Sequence, residues 1–419
     1  MSEVAQDVSI ATGEGGGSTH HMVGGATAPQ DRFEAVDSLR GVCALLVALH
    51  HFSLFTNSNL WSLGFVRNAY LFVDFFFVLS GFVVCHAYGT RIRAPGGMLN
   101  FMIRRFGRLW PLHIAVLGLL LGFIALAQIL PHPAFMNLVI GKGTSFSLGK
   151  LVFSAAFLGA HHIAEMGWNA PSWSISAEFT IYAVFGVVCL APRKLLLPIS
   201  ALIIVAGLTT LALKSKYYIN TTSEFGLARC ALGFFIGVVT YVLYRFIRDR
   251  AQWGSIAATL IEAAAILAAL AFVGFVASGP FEQAPLTLIA PIVFALVVLV
   301  VALGRGRITK ALTIKPFLWL GELSYSLYML HWPIFLVTSY IVYLVSTGLL
   351  KHDPFVYRTD GYPDHTLTFS NGLQADGLAL LMVVTTVAVS ALTYRQIEAP
   401  GRSYFNGIAK KLDKKANPV

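Results

Sequence analysis

The chain has 419 residues, of which 56% are hydrophobic and only 12% are charged, and its mean hydropathy is +0.71. Soluble domains carry about 25% charged residues, so this composition excludes an ordinary soluble protein and predicts a polytopic membrane protein. The formal net charge of +10 does not indicate a nucleic-acid partner, because the cations lie in short segments between apolar runs, where they set orientation in a membrane.

Ten apolar segments approach the length of about 20 residues that a membrane-spanning helix needs. They are 38–56, 68–88, 110–130, 172–191, 196–213, 226–245, 256–277, 284–303, 317–345 and 375–395. The sequence therefore predicts an all-α fold, a polytopic membrane bundle of about ten transmembrane helices. We expect a disordered cytoplasmic tail at 1–31, a transmembrane domain at 32–405 and a basic cytoplasmic tail at 406–419. The shorter run 147–160 is expected to lie at the interface or to re-enter the membrane.

Lysine and arginine alternate between the two sides of this predicted bundle. With the N-terminus inside, roughly three quarters of them fall on the inner side, as in membrane proteins whose inner loops are cytoplasmic. The pattern predicts that both termini are cytoplasmic and that two longer loops, about 131–170 and 346–374, are outside. The four cysteines lie within apolar runs and have no metal-ligand spacing, so we expect neither a disulfide framework nor a metal site.

Span one carries Arg40 near its inner end and His51 towards its outer end. Eleven residues make about three helical turns, so both side chains project from nearly one face, about 16 Å apart along the axis. His50 points about 100° away from that face. Snorkelling of Arg40 and hydrogen bonding of the histidines would explain an isolated pair. The alternative is a functional path, because ionisable residues inside a span are costly.

Span two contains one carboxylate, Asp74, in a nearly all-apolar run. Its structural explanation is an ion pair with a neighbouring helix, through Arg67 or Arg229, and its functional explanation is substrate binding. Gly81 is seven residues further on and shares the face of Asp74, which predicts close helix packing.

Three arginines, Arg104, Arg105 and Arg108, directly precede span three and share a helix surface at spacings of three and four residues. One interpretation is an orientation signal with contacts to anionic lipids. The other is a phosphate cradle, because clustered guanidinium groups bind phosphates in a bidentate way.

Span four begins with Trp173 and carries Ser174, Glu178 and Tyr182 at intervals of four residues, a polar stripe on an apolar helix. Trp173 is explained by the interfacial aromatic belt. Glu178 is harder to explain, because a carboxylate one to two turns inside a membrane needs a partner or a role.

Span nine carries Ser324, Tyr328 and His331 on one face. Hydrogen bonding between helices is the structural interpretation. The span begins inside near residue 317, so His331 is about 21 Å into the membrane. Four ionisable residues from four spans therefore fall at similar depth in the outer half of the bilayer, which indicates a site: His51, Asp74, Glu178 and His331.

Six motifs resemble, in order, those of the acyltransferase type-three family of integral membrane acyltransferases. They are the segments 40–51, 74–81, 104–111, 171–178, 324–333 and 397–400, and the similarity covers about residues 33–403. The chain departs from the family pattern at Ala399 and Gly401. The resemblance implies transfer of an acyl group, usually acetyl from acetyl-CoA, to hydroxyls of surface glycans at a bacterial inner membrane. The family's Arg-x10-His, RxxR and tryptophan–glutamate motifs fall on Arg40 and His51, on Arg105 and Arg108, and on Trp173 and Glu178.

The expected site follows from this resemblance and from the layout of the spans. We expect His51 to act as general base, Glu178 to orient it or to accept an acceptor hydroxyl, and His331 to steady the oxyanion or the sugar. The residues expected to bind the phosphates of acetyl-CoA are Arg40, Arg104, Arg105 and Arg108. The residues expected to bind the acceptor are Asp74, Trp173, Ser174 and Tyr328. The expected partners are acyl-CoA, a glycan or lipid-linked sugar and membrane lipids, with acetyl-CoA as donor, no metal and no nucleic acid.

A different class of protein is compatible with buried Arg, His, Asp and Glu. A proton-coupled transporter or a flippase of a glycan or small molecule would also place such residues between helices. Against it, the sequence has no evident repeat halves and no paired glycine-broken helices. Release of acetyl groups from acetyl-CoA by purified protein would separate the two classes.

Overall fold

A computed structural model describes residues 33–129, 148–159, 168–250, 253–279, 282–357 and 365–416. The tail expected at 1–31 and much of the outer loop expected at 131–170 lie outside the described residues.

The described part of the chain is almost entirely helical, and ten helical segments in it are long and apolar enough to cross a membrane. The predicted all-α, polytopic membrane fold is thereby confirmed. The α-helices are α1 (Glu34–Leu54), α2 (Gly64–Arg67), α3 (Phe72–Tyr88), α4 (Gly97–Ile129), α5 (Leu148–Ala155), α6 (Trp173–Leu190), α7 (Leu196–Lys214), α8 (Gly226–Ile247), α9 (Ser255–Phe275), α10 (Ala290–Leu303), α11 (Arg307–Leu312), α12 (Lys315–Val345), α13 (Gly372–Thr393) and α14 (Ala399–Ala416). One antiparallel hairpin joins β1 (Phe355–Tyr357) to β2 (His365–Leu367).

Two helices extend beyond the predicted spans because charged residues are good helix formers that an apolar window does not register. The third span was predicted from residue 110, but α4 begins at Gly97 and contains the arginine run. After α13, a π-helical turn at Tyr394–Glu398 leads directly into α14. The first part of the stretch expected as a basic tail is therefore helix, and it packs along the N-terminal half of α4.

The centre of the bundle is the pairing of α1 with α12. A Cβ atom added to Gly41 would lie 2.5 Å from the carbonyl carbon of Leu320, and one added to Gly321 would meet the backbone of α1 equally closely. Glycine is required at both positions because the two backbones touch there. Residues 41 and 51 of α1 meet residues 321 and 331 of α12 in the same order, so the two helices run parallel.

Close helix packing also joins α3 to α8. A Cβ atom added to Gly81 would lie 1.9 Å from the carbonyl oxygen of Phe234, and one added to Gly237 would lie 2.0 Å from that of Val78. The close packing predicted for Gly81 is confirmed.

The hairpin covers the end of α1 that carries the histidines. The Leu367 N–H donates to the carbonyl oxygen of Phe55 at 2.9 Å, and the Asn57 N–H donates to that of Leu367 at 3.2 Å. The segment that follows His51 is thus held against β2 by a single parallel β-bridge, between Thr56 and Leu367, and β2 lies within the loop expected at 346–374.

Candidate active site

His51 lies near the C-terminal end of α1 and is partly accessible. Its Nδ1 is 2.9 Å from the carbonyl oxygen of Val47, one turn back on the same helix. A carbonyl only accepts, so Nδ1 donates, and a neutral ring then keeps its lone pair on Nε2. The local backbone of α1 therefore presents Nε2 of His51 as a base.

Two further imidazoles flank His51. The ring centroid of His331 lies 5.0 Å from that of His51, and the ring centroid of His50 lies 5.1 Å away. His50 is buried, and its Nδ1 is 3.1 Å from the carbonyl oxygen of Val66. His331 is fully buried, and neither of its nitrogens makes a good hydrogen bond within the described residues, where its polar neighbours are backbone carbonyls one turn back on α12. The structure thus brings together His51 and His331, which were predicted from different spans.

The start of α6 reaches the same place where the hydroxyl of its Ser174 meets that of Tyr328 from α12. The Ser174 Oγ and the Tyr328 hydroxyl are 2.8 Å apart, and each lies within 3.1 Å of the Pro171 carbonyl oxygen. The ring of Tyr328 is centred 5.7 Å from that of His331. Ser174 and Tyr328, both expected to bind the acceptor, therefore adjoin the histidine pair.

Glu178 is hydrogen-bonded to Tyr182 and not to His51, its expected partner. The Tyr182 hydroxyl donates to Glu178 Oε1 at 2.6 Å and is 3.0 Å from the Ser80 Oγ. The ring of Tyr182 also faces the guanidinium of Arg105, with 5.7 Å from Cζ to the ring centroid. Glu178 is thus tied to α3 and α4 through Tyr182, whereas the group that orients His51 is a carbonyl of α1.

Asp74 and Trp173 belong to a separate cluster around Arg229. The Arg229 Nε and Nη2 donate to the two carboxylate oxygens of Asp74 at 3.0 and 2.7 Å, and both side chains are almost completely buried. The remaining guanidinium donors reach the carbonyls of Tyr70 and Thr221, and the guanidinium faces the ring of Trp173 at 5.5 Å. Of the two cations considered as partners of Asp74, Arg229 forms the ion pair. The geometry therefore fits the structural explanation of this carboxylate, an ion pair with a neighbouring helix, and not substrate binding.

The four arginines expected to bind phosphate diverge. Arg40 donates to the Ser324 Oγ at 2.7 Å and to the Gly321 carbonyl at 3.1 Å, so it lies on the α1–α12 contact below the histidines. Arg108 interacts electrostatically with Arg40 and with the buried Glu398.

The other two arginines of the run point elsewhere. Arg105 donates to the Tyr88 hydroxyl at 3.3 Å, with Cζ 5.1 Å from the ring centroid of that tyrosine. Arg104 turns towards α14, where it reaches Asn406 and Asp413. Arg104, Arg105 and Arg108 share one surface of α4, yet each side chain contacts a different set of residues.

Two buried residues near Arg108 were not among the predicted site residues. The Ser326 Oγ donates to Glu398 Oε2 at 2.6 Å, and both residues are buried. The signal for Glu398 was its place in the motif 397–400, and Ser326 lies within the span-nine motif 324–333. Within the described residues, no group of three His, Cys, Asp or Glu side chains is arranged to hold a metal ion.

The chain is similar in sequence to known proteins over most of its length. The profile of the acyltransferase domain family matches residues 33–395. The chain is 32% identical over 168 residues to "Protein 2 in picA locus" of Rhizobium radiobacter, a match that covers 38% of this chain and 82% of that protein.

Two longer matches span most of this chain. Peptidoglycan O-acetyltransferase OatA of Listeria monocytogenes is 23% identical over 405 residues, which cover 90% of this chain and 58% of OatA. A protein of Komagataeibacter xylinus with the provisional name membrane-bound transacylase BcsY is 24% identical over 390 residues, which cover 90% of this chain and 85% of BcsY. No solved structure matches the chain. Because the family profile covers most of its length, the chain belongs to the acyltransferase domain family.

Proposed function

We propose that this protein is a membrane-bound O-acyltransferase that moves an acetyl or similar short acyl group from cytoplasmic acyl-CoA to a hydroxyl of an extracytoplasmic or lipid-linked glycan, such as exopolysaccharide or lipopolysaccharide. The observation that carries this proposal is the contact of His51 with His331 on the parallel α1–α12 pair, with Arg40 three turns below on the same contact. Membership in the acyltransferase family supports acyl transfer, and the similarity to OatA, a peptidoglycan O-acetyltransferase, supports a glycan acceptor.

The proposed route of the donor follows the α1–α12 contact. Arg40 and Arg108 would hold phosphates of acyl-CoA at the inner end, and the charge of Arg105 would add to theirs from its position at Tyr88. The thioester would then lie further up the same two helices, about 16 Å above Arg40, next to His51. The acceptor would enter from the opposite side, where Ser174 and Tyr328 adjoin the histidines. The distribution of lysine and arginine supports a cytoplasmic inner end, with both termini there, in a bacterial inner membrane.

The proposed reaction neither consumes nor releases a net proton. His51 Nε2 takes the proton of the acceptor hydroxyl as its oxygen attacks the thioester carbonyl, which is general-base catalysis. The new ester C–O bond forms, the C–S bond breaks, and the protonated His51 returns its proton to the departing thiolate. His331 would stabilise the oxyanion through the one N–H of its neutral ring, since neither ring nitrogen makes a good hydrogen bond within the described residues.

The test is to replace His51 with asparagine. The amide nitrogen of asparagine occupies roughly the position of Nδ1, so the bond to Val47 is retained while the basic Nε2 is lost. We expect transfer to fall by about 10²–10⁴-fold, the usual contribution of a general base, with normal folding and insertion. The assay is release of free thiol and acylation of a glycan acceptor by the purified protein.

The matched control is His50→Asn. It is the same change one residue earlier, and it retains the donor to the Val66 carbonyl. We expect it to keep most of the activity. Retained activity in His51→Asn, or equal losses in both variants, would contradict the proposed role of His51.

A further inference from the structure

A cavity of about 400 Å³ lies between α4 and α14, outside the histidine site. Its polar lining consists of Arg104 from α4 and of Arg402, Ser403, Asn406 and Lys410 from α14. The α14 residues at 402, 406 and 410 recur every four positions, so they form one face of that helix.

The packing of α14 on α4 turns this face towards Arg104. The two helices run antiparallel, because Gly107 meets Phe405 and Gly401 meets Pro111. At both glycines an added Cβ would lie within 2.6 Å of the neighbouring side chain, so the helices are in close contact about one and two turns beyond Arg104. The three cations of the cavity are therefore held together by helix packing.

The charges in the cavity are not balanced from within. Its lining carries three cations and, among the described residues, no carboxylate. Asp413 lies 3.7 Å from Arg104 Nη2 and is half exposed, a geometry that contributes little. Arg402 donates to the neutral Tyr394 hydroxyl at 3.3 Å. Glu398, which attracts Arg402 electrostatically, lies outside the lining and already accepts a hydrogen bond from Ser326. Three like charges around one hollow repel one another unless an anion occupies it.

We propose that this cavity is a phosphate-binding site. The two guanidinium groups offer planar, paired donors, Lys410 adds a point charge, and Ser403 and Asn406 add neutral donors, a combination suited to phosphate oxygens. The phosphate has two possible sources, a phosphate of bound acyl-CoA or the headgroup of an anionic lipid. The first source rests on the proposed function, and the second does not.

Each source has support in the position of the cavity. Its lining includes Ala399, next to Glu398, which interacts with Arg108 and Arg40 at the inner end of the α1–α12 contact. A donor molecule could therefore reach from the cavity towards the histidines. On the other hand, α14 is a basic helix with Tyr404 67% exposed, which is typical of a helix that lies on an anionic membrane surface.

The test uses the full-length protein in lipid nanodiscs and the variants Arg402→Gln and Lys410→Gln. The matched controls are Arg395→Gln and Lys411→Gln, which remove the same charges from neighbouring exposed positions outside the cavity. In phosphatidylcholine discs, binding of coenzyme A, dephospho-coenzyme A and adenosine 3′,5′-bisphosphate is measured by titration. In parallel, unfolding temperature is compared between phosphatidylcholine discs and discs that also contain phosphatidylglycerol.

If the cavity holds the 3′-phosphate of the donor, the cavity variants bind coenzyme A and the bisphosphate about tenfold more weakly, and dephospho-coenzyme A equally well. If it holds a lipid headgroup, they lose the stabilisation by phosphatidylglycerol that the parent protein and the controls retain. Cavity variants that match their controls in both experiments would overturn the proposal. Both readouts measure binding and need no turnover, so they remain informative even if the proposed transferase activity fails.

Discussion

The ion pair of Asp74 with Arg229 provides a direct test of whether Asp74 binds substrate or holds the bundle together. Both side chains are at most 2% exposed, and the guanidinium makes two hydrogen bonds to the carboxylate. In Asp74→Asn the guanidinium of Arg229 keeps its charge but loses its counter-ion. Removing one partner of a buried pair typically costs about 3–5 kcal/mol, because the other charge is left uncompensated.

The stability of the double variant distinguishes the effect of removing the whole ion pair from the effect of removing one partner. We expect Asp74→Asn with Arg229→Gln to be more stable than Asp74→Asn alone, because no buried charge then remains unpaired. The exposed pair of Asp249 with Arg248 gives the matched control, since Asp249→Asn should change stability by less than about 1 kcal/mol.

The assay is unfolding of the purified variants in mixed micelles, combined with acyl transfer per folded molecule. A large loss of stability with normal transfer per folded molecule would establish the structural role. The opposite result, Asp74→Asn with normal stability but without transfer, would refute this reasoning and return Asp74 to the acceptor site.

Two further predictions concern the second carboxylate and the topology. Tyr182→Phe removes the hydroxyl that donates to Glu178 but keeps the ring that faces Arg105, so we expect kcat to fall about tenfold with little change in the KM for acetyl-CoA. A raised donor KM with unchanged kcat would argue instead that Tyr182 serves the phosphate end. A cysteine at Val356, which is 51% exposed, in a background without the native cysteines, should react with an impermeant thiol reagent only from outside the cell. Labelling only from the inside would reverse the proposed orientation and the acceptor route.

Helical periodicity predicted which side chains share a face. In the α1–α12 pair, these predicted faces contain the residues that meet in the structure. Arg40 and His51 were expected on one face of span one, and Ser324 and His331 on one face of span nine. The structure sets these two faces against each other, with Arg40 bonded to Ser324 and the two histidine rings in contact. The spacing along each helix is a local property of the chain, so it could be read without knowing the neighbour.

Which residue of a neighbouring helix pairs with a given side chain could not be predicted from the sequence in the same way. Glu178 stands one turn from Tyr182 on the stripe that the sequence showed, yet its expected partner was a distant histidine. Arg67 and Arg229 were equivalent candidates for Asp74, because both lie near the outer end of the predicted spans. Only the packing of α3 against α8, through glycines at 81 and 237, brings Arg229 to Asp74.

The inner end of the molecule was harder to predict because its helices are polar. Hydropathy recognises segments that lie in lipid, and α14 carries too many cations to register. Its packing on α4 nevertheless decides the surroundings of the arginine run, since Arg104 points to it while Arg108 faces Glu398 just before it. The arginine run is continuous in sequence, but α14, most of which composition had assigned to a tail, gives Arg104 and Arg108 different surroundings.

A parallel pair of touching helices suits the proposed reaction, in which the donor and the acceptor would approach from opposite sides of the membrane. Because α1 and α12 run in the same direction, each contributes its polar inner residue, Arg40 or Ser324, and its histidine at matching levels. The glycine contact between Gly41 and Gly321 fixes the register of the two helices just above Arg40. A shift of one residue along α12 would move His331 by about 1.5 Å and turn it by about 100°, away from His51. The backbone contact at the inner end thus determines the geometry of the histidines three turns away.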